Sequence, residues 1–207
     1  MTTPQPYTDP AINYLYEMLF ADAPALFQAG APEGSPWAEL LGAYDPVALA
    51  RLAQDPEAEA RVRLLACHRL RVGGHPLTHR ELLGVIVEVS LPEGLDVLAA
   101  YADGAARYLN HSGKVLIWET PDVQSNELID ELFFHCANIV NQIGPWEGGR
   151  GPFPVTGYVR LTMLVTDGVY IGEAPMDVFF QDALAGPALA TATYLLQYLT
   201  DKAGQDS

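Results

Sequence analysis

Four short apolar stretches separated by tight-turn sequences constrain the fold of this chain more than any other feature. The stretches cover residues 84–91, 95–101, 105–109 and 114–119. A Pro-Glu-Gly turn follows the first stretch, and the pair Asp103-Gly104 follows the second. An Asp-Gly pair favours a two-residue hairpin loop because that turn needs positive φ angles. The pattern therefore predicts a four-strand antiparallel meander.

Helical and strand patterns alternate after the meander. A stripe of apolar residues at helical spacing predicts an amphipathic helix that packs on the sheet. Its members include Leu128, Ile129, Leu132, Cys136, Ile139 and Val140. Residues 158–166 and 169–172 flank a second Asp-Gly pair and predict a hairpin, and residues 187–200 predict a final helix. This order predicts an α+β fold, with helices packed on one face of the antiparallel sheet.

Three Asp-Pro pairs predict helix starts in the first third of the chain. They are Asp9-Pro10, Asp45-Pro46 and Asp55-Pro56. Aspartate is a strong N-cap, and proline at the first helical position lacks only an N–H that would be unpaired there anyway. We expect a mainly helical region over residues 1–80 and an α+β region over residues 81–207. Because no flexible linker separates them, we expect one compact unit.

The composition excludes several classes of protein. The chain has 26 acidic residues against 11 Lys and Arg, for a net charge of −15. A field of that sign repels nucleic acids and anionic lipids. No apolar run approaches the ~20 residues that cross a bilayer. Two cysteines, Cys67 and Cys136, are too few for a disulfide framework. With no secretory signal pattern at the N-terminus, we expect a cytoplasmic location.

No catalytic motif is found in the sequence. Neither Gly-x-Ser-x-Gly nor His-Glu-x-x-His occurs, and the glycine-rich residues 148–151 lack the Gly-Lys-Ser/Thr end of a phosphate-binding loop. Cys136 lies on an apolar stripe, where burial keeps a thiol pKa high and its reactivity low. We therefore expect no catalysis, no cofactor and no bound metal.

Basic residues are concentrated in residues 61–80. Five of the 11 Lys and Arg residues lie there, together with three histidines. Such a cluster can bind an anion. The candidate anion-binding residues are His68, Arg69, Arg71, His75 and His79. The simpler alternative is that these side chains pair with neighbouring acidic residues, which is the ordinary arrangement on a protein surface.

The Gly/Pro-rich loop of residues 144–156 is the second candidate site. It carries Trp146, Arg150 and Phe153. A loop of this length without periodicity is usually functional or mobile, and aromatic residues with arginine are enriched in interface hot spots. We predict a partner-binding surface there, joined by acidic residues on an open face of the meander. Those residues are Glu88, Asp96 and Glu119. The alternative is that Trp146 and Phe153 fold back over the core.

The favoured hypothesis is a non-enzymatic protein that binds a basic protein, as immunity proteins, chaperones and adaptors do. Excess negative charge would speed the encounter with such a partner. The alternative is an enzyme or binding protein for a small molecule or metal, with an anion site built from residues 61–80. A third hypothesis is self-association into a homo-oligomer through an exposed apolar patch.

Overall fold

The computed structural model describes residues 5–28, 34 and 36–205, and its centre is one six-stranded antiparallel sheet. The strands are β1 (Leu82–Leu91), β2 (Gly94–Tyr101), β3 (Ala106–Leu109), β4 (Val115–Trp118), β5 (Tyr158–Val165) and β6 (Gly168–Pro175). Their spatial order is β4-β3-β2-β1-β5-β6. The meander and the second hairpin are both confirmed, and β5 joins them by pairing with β1.

Helices precede, interrupt and follow the strands, which confirms the α+β class. They are α1 (Pro10–Met18), a 3₁₀ helix (Pro24–Phe27), α2 (Trp37–Leu41), α3 (Pro46–Gln54), α4 (Ala60–Val72), α5 (Val123–Val140), α6 (Met176–Gln181) and α7 (Ala185–Gln205). The 3₁₀ helix, α2 and α6 are too short to show a helical apolar period, and the sequence pattern does not predict them. Across the described ranges, no helix combines the length and the apolar character that a membrane span needs.

Two of the three Asp-Pro pairs begin helices as predicted. The carboxylates of Asp9 and Asp45 accept hydrogen bonds from backbone N–H groups in the first turns of α1 and α3. The third prediction is wrong, because Asp55 follows the end of α3 and α4 begins only at Ala60. Asp55 instead accepts a hydrogen bond from the backbone N–H of Glu57, at 3.0 Å, in the turn between these helices.

Helices cover both faces of the sheet, which corrects the prediction that they cover one. The N face is covered by α1–α4 and includes Leu83, Ile86, Leu95, Val97, Ala99, Tyr101, Leu109 and Leu164. The C face is covered by α5 and α7 and includes Val85, Val87, Leu98, Ala100, Val159, Leu161 and Met163. The physical reason is that β1 and β2 carry apolar side chains at successive positions, so both sides must be shielded from water.

Hydrogen bonds from tyrosines fasten the N-terminal helices to the N face. The Tyr101 hydroxyl donates to the carbonyl of Leu19 at 2.7 Å, and the Tyr7 hydroxyl donates to the carbonyl of Leu95 at 3.0 Å. Both hydroxyls are buried, where an unpaired donor would cost free energy. The segment that follows α1 is thereby held against the sheet.

The two cysteines are core residues, as expected. Cys67 lies in the core over the N face and Cys136 in the core over the C face. Burial raises the pKa of the Cys67 thiol to about 11 and raises that of Cys136 further. Both thiols are therefore protonated and unreactive near neutral pH.

Candidate binding cavity

A cavity of about 410 Å³ lies on the N face at the β5–β6 edge of the sheet. We call it the edge cavity. Its floor is apolar, because Leu164 and Val169 are paired across β5 and β6 and share a face with Ile171. One wall is α4, a second is the segment after α1, and residues 145–150 form the rim. Four parts of the chain thus meet around one space.

Two residues of the predicted anion set, His68 and Arg71, line the edge cavity from α4. Their spacing of three residues places them on one side of the helix. Arg71 donates from Nη1 to the carbonyl of Thr166 at 3.2 Å. Within the described part of the chain, Arg71 has no carboxylate partner within 4.0 Å. Most of its donors are therefore available to a ligand.

His68 is neutral at neutral pH. Burial lowers the pKa of its imidazole, and the nearby positive charge of Arg71 lowers that pKa further. A neutral imidazole has one N–H donor and one acceptor. The α4 wall of the cavity therefore offers one full positive charge and one neutral hydrogen-bonding group.

Arg150 lines the cavity rim, but its charge is balanced inside the molecule. Its guanidinium donates to Glu17 at 2.5 Å and to Asp22 at 3.2 Å, and lies 3.8 Å from the ring centre of Phe20. Burial alone would lower the pKa of Arg150, but Asp22 and Glu17 outweigh it and raise that pKa. The predicted role of Arg150 as a side chain presented to a partner is corrected: it ties the loop to the segment around α1.

Trp146 stands at the rim in a defined position. Its backbone N–H donates to the carbonyl of Val169 at 2.7 Å, and its indole Nε1 donates to the carbonyl of Gly149 at 3.1 Å. The indole lies across Gly148, where a Cβ would sit only 2.8 Å from Nε1. Trp146 is 55% exposed, whereas Phe153 packs partly buried against the N-face core. One aromatic ring of the loop is therefore exposed at the cavity rim, and the other packs against the N-face core.

Acidic groups surround the opening of the cavity. Asp22, Glu147 and Asp167 all line it. Asp167 accepts a hydrogen bond from Arg80 at 2.9 Å and another from the Tyr170 hydroxyl at 3.0 Å, so its charge is balanced. With Asp22 balanced by Arg150, Arg71 is the described cationic side chain in the cavity that lacks a carboxylate partner.

The rest of the predicted anion set lies elsewhere. Arg69 binds the carbonyls of Leu40 and Gly42 near the end of α2, where a cation is favourable. His75 is hydrogen-bonded to the Tyr44 hydroxyl at 2.9 Å, and His79 is exposed, 3.7 Å from Glu81. These three residues share no cavity with Arg71.

Glu88 is not on an open face, and that prediction is wrong. Its side chain is fully buried on the N face, between β1 and α1. The Tyr16 hydroxyl donates to Oε1 at 2.6 Å, while Oε2 lies 3.9 Å from Arg160 Nη1 and has no hydrogen-bond partner. Burial raises the pKa of Glu88, opposed by Tyr16 and Arg160. Glu88 cannot reach a partner protein from this position.

Asp96 and Glu119 lie away from the loop. Asp96 accepts hydrogen bonds from the Tyr108 hydroxyl at 2.9 Å and from the backbone N–H of His111 at 2.7 Å, so it fixes a hairpin tip. Glu119 follows β4 and pairs with Arg107 at 2.5 Å. Because β4 and β6 are opposite edges, five strand spacings or roughly 24 Å separate Glu119 from Trp146. The predicted docking residues do not form one surface.

Several cavity residues carry no signal in the sequence. Asp167 belongs to a predicted turn and Leu164 to a predicted strand, and both local elements are present, whereas Phe20 lies two residues beyond the end of α1. None of these patterns indicates that the three parts of the chain meet, because that depends on how β5 pairs with β1 and on which face α4 covers.

Comparison with known proteins finds no matching family model, no similar curated protein and no similar solved structure. Within residues 5–28, 34 and 36–205, no group of three or more His, Cys, Asp or Glu side chains is placed to hold a metal ion. The geometry of the edge cavity is therefore the basis for a functional proposal.

Proposed function

We propose that this chain binds a small organic molecule in the edge cavity, with an acidic group of that molecule held by Arg71. The observation that carries the proposal is that Arg71, in a cavity of about 410 Å³, has no carboxylate partner among the described residues. Cavities of about 300–1,000 Å³ with apolar walls and a few converging polar groups are typical ligand sites. His68 and Trp146 supply a neutral hydrogen-bonding group and an aromatic rim.

Two of the five predicted anion-binding residues keep that role in the edge cavity. His68 and Arg71 remain, while Arg69, His75 and His79 have other partners. A cleft of about 550 Å³ beside the β3–β4 hairpin and the end of α7 is larger. Its cation, Lys114, is exposed, so water competes with any ion pair formed there. The partly buried Arg71 offers the stronger anchor.

A fragment screen by NMR tests the proposal. The full chain, labelled with ¹⁵N, is mixed with a library of acidic, basic and neutral fragments. We expect shifts at His68, Arg71, Val169 and the indole N–H of Trp146. Fragments that shift only signals remote from the cavity, or no fragment binding at all, would contradict the proposal.

Two glycines of the loop provide a matched pair of variants. A side chain added at Gly149, on the rim, or at Gly144, outside the cavity, meets no atom within 4 Å. Neither glycine has a positive φ. We expect Gly149→Leu to obstruct the cavity mouth and weaken fragment binding, and Gly144→Leu to leave it unchanged. Equal effects of the two substitutions would contradict the assignment.

Docking of a basic protein is the second candidate function, and the ion pairs support it. Among the described residues, seven arginines pair with carboxylates. The remaining acids, in a chain of net charge −15, leave the surface strongly negative. We expect the association rate with a partner purified from the native host to fall at least tenfold from low to high salt. A rate that does not change with salt would contradict electrostatic docking.

We also propose a cytoplasmic location. Cys67 and Cys136 lie in cores on opposite faces of the sheet, so this fold uses neither in an intrachain disulfide. Two buried free thiols suit a reducing compartment. Fractionation of the native host, with detection by antibody, tests the location.

A further inference from the structure

The edge cavity accepts a limited amount of negative charge. Arg150 is neutralised by Glu17 and Asp22, and Asp167 is matched by Arg80. Arg71 therefore supplies one positive charge that has no carboxylate partner in the described chain. One negatively charged group of a ligand can pair with Arg71, but the lining as a whole, counted with its ion-pair partners, already has four carboxylates against three arginines.

A second negative charge on the ligand would meet repulsion. Asp22, Glu147 and Asp167 line the same cavity. Like charges at close range in a partly buried site are strongly unfavourable. His68 offers little compensation, because burial and the charge of Arg71 lower its pKa despite the opposing charge of Asp22. Dianions such as phosphate monoesters are thus disfavoured relative to monoanions.

The remaining surface of the cavity suits an apolar, planar group. Leu164, Val169 and Ile171 form the floor, and Trp146 contributes an exposed aromatic ring. Aromatic ligands gain both apolar burial and favourable ring contacts in such surroundings. A carboxylate matches the planar donor fork of a guanidinium, which can bind both oxygens at once.

Resting on the proposed function, we infer that the ligand of the edge cavity is an aromatic monocarboxylate. Its carboxylate binds Arg71, and its ring lies on the floor formed by β5 and β6, beside Trp146. This assignment selects one chemical class from the broader group of acidic molecules that a single arginine can hold.

Three probes with a common aromatic body test the assignment by isothermal titration calorimetry of the full chain at about pH 7.5. They are 3-phenylpropionate, its neutral amide 3-phenylpropanamide, and 2-phenylethyl phosphate, which carries close to two negative charges at this pH. We expect the carboxylate to bind at least tenfold more tightly than either of the others.

Two arginine variants on α4 locate the carboxylate. Arg71→Gln should reduce the affinity for 3-phenylpropionate to that of the amide. Arg69→Gln removes the same charge from the same helix and should leave that affinity unchanged, because Arg69 binds the carbonyls near α2. Circular dichroism checks that each variant is folded. If Arg71→Gln does not fold, the side-chain N–H signals of Arg71 in the natural chain must shift when 3-phenylpropionate is added.

The outcomes separate this inference from the proposed function. Equal affinities for the three probes, tighter binding of the phosphate, or a loss of binding in Arg69→Gln alone would overturn the ligand class. The ligand class would also be overturned if none of the three probes bound while other fragments occupied the cavity. If no fragment of any class occupies it, the proposed function itself is wrong.

Discussion

The two faces of the sheet are both buried, but they differ in chemistry. The C face packs against α5 and α7 through aliphatic side chains from β1, β2 and β5. The N face also buries Glu88, Arg107 and Arg160, which lie at paired positions on that side of the sheet. The edge cavity opens on the N face as well. The core between the sheet and α5 and α7 is apolar, whereas the N face combines a core with buried charged groups and the edge cavity.

This contrast between the faces indicates where function is to be expected in this fold. A buried charge costs free energy unless it is paired and hydrogen-bonded, so it weakly favours stability at best. Charged groups that lie beside a cavity are the groups that a ligand can use. We therefore expect C-face substitutions to change stability alone, whereas N-face substitutions change stability, its pH dependence or binding.

The largest effect should come from Arg160 on the N face. Arg160→Leu leaves Glu88 buried without its cation and removes a donor to the carbonyl of Pro152. We expect a loss of about 3–5 kcal/mol in the free energy of unfolding, measured with urea. The double variant Arg160→Leu/Glu88→Leu should recover part of that loss, because it removes the buried carboxylate but leaves the Tyr16 hydroxyl and Glu173 without their partners. A single variant within about 1 kcal/mol of the natural chain would show that the pair is unimportant.

A substitution in the C-face core should also lower the free energy of unfolding, but with no charge pair involved. Leu132 of α5 is fully buried, so Leu132→Ala should lower the free energy of unfolding by about 2–5 kcal/mol through lost contacts and a cavity. Phe134→Ala on the same helix is the control, since that ring is 65% exposed and its removal should cost about 0.5 kcal/mol or less. Probe binding in the edge cavity should be unchanged in both. Similar losses in the two variants would contradict the C-face core.

Two buried threonines, Thr162 within β5 and Thr166 just after it, should change stability with opposite signs. The Thr162 hydroxyl is buried without a partner, so Thr162→Val should stabilise the chain by about 1 kcal/mol. The Thr166 hydroxyl donates to the carbonyl of His79 at 2.6 Å and accepts from the N–H of Glu81 at 3.0 Å. Thr166→Val should destabilise it by about 1–3 kcal/mol. Urea unfolding measures both, and a common sign would refute the distinction.

The smallest effect is a pH dependence caused by Glu88. Because burial raises its pKa, the folded state retains a proton that the unfolded chain releases. The contribution of Glu88 to stability is therefore largest at acid pH and declines as pH rises through the folded pKa. Glu88→Gln removes that titration. The difference in unfolding free energy, variant minus natural chain, should increase from about pH 4 to about pH 8. A difference that decreases over this range would contradict the assigned direction.

The strands, the hairpins and the α+β class follow from local patterns. Alternation and Asp-Gly turns are properties of neighbouring residues, so they can be recognised in one sequence. The coverage of both faces also leaves a trace, because Val85, Ile86 and Val87 are apolar in succession. Glu88 makes this signal ambiguous, because an acidic residue in an apolar strand is compatible either with an exposed face or with a buried ion pair. Its partner Arg160 lies on a strand that begins only after α5.

The candidate site is less predictable for the same reason. Arg71 belongs to a predicted anion cluster, but its neighbours in sequence, Arg69 and His75, point to other partners. What distinguishes Arg71 is that no carboxylate of the described residues lies within 4.0 Å of it, which depends on tertiary packing. Arg150 shows the converse. Its position in a loop with aromatic residues is typical of an interface hot spot, but in the structure it forms ion pairs with Glu17 and Asp22.

The position of β1 has a consequence for synthesis of the chain. The hairpin partner β2 follows β1 directly in the chain, but the other neighbour, β5, leaves the ribosome only after α5 has been made. Until then, one edge of this largely apolar strand can offer unpaired backbone groups to other nascent chains, a situation that promotes aggregation. Glu88 is still hydrated and charged at that stage, and so discourages such contacts. The residue that is an electrostatic burden in the native state thus protects the chain before that state is reached.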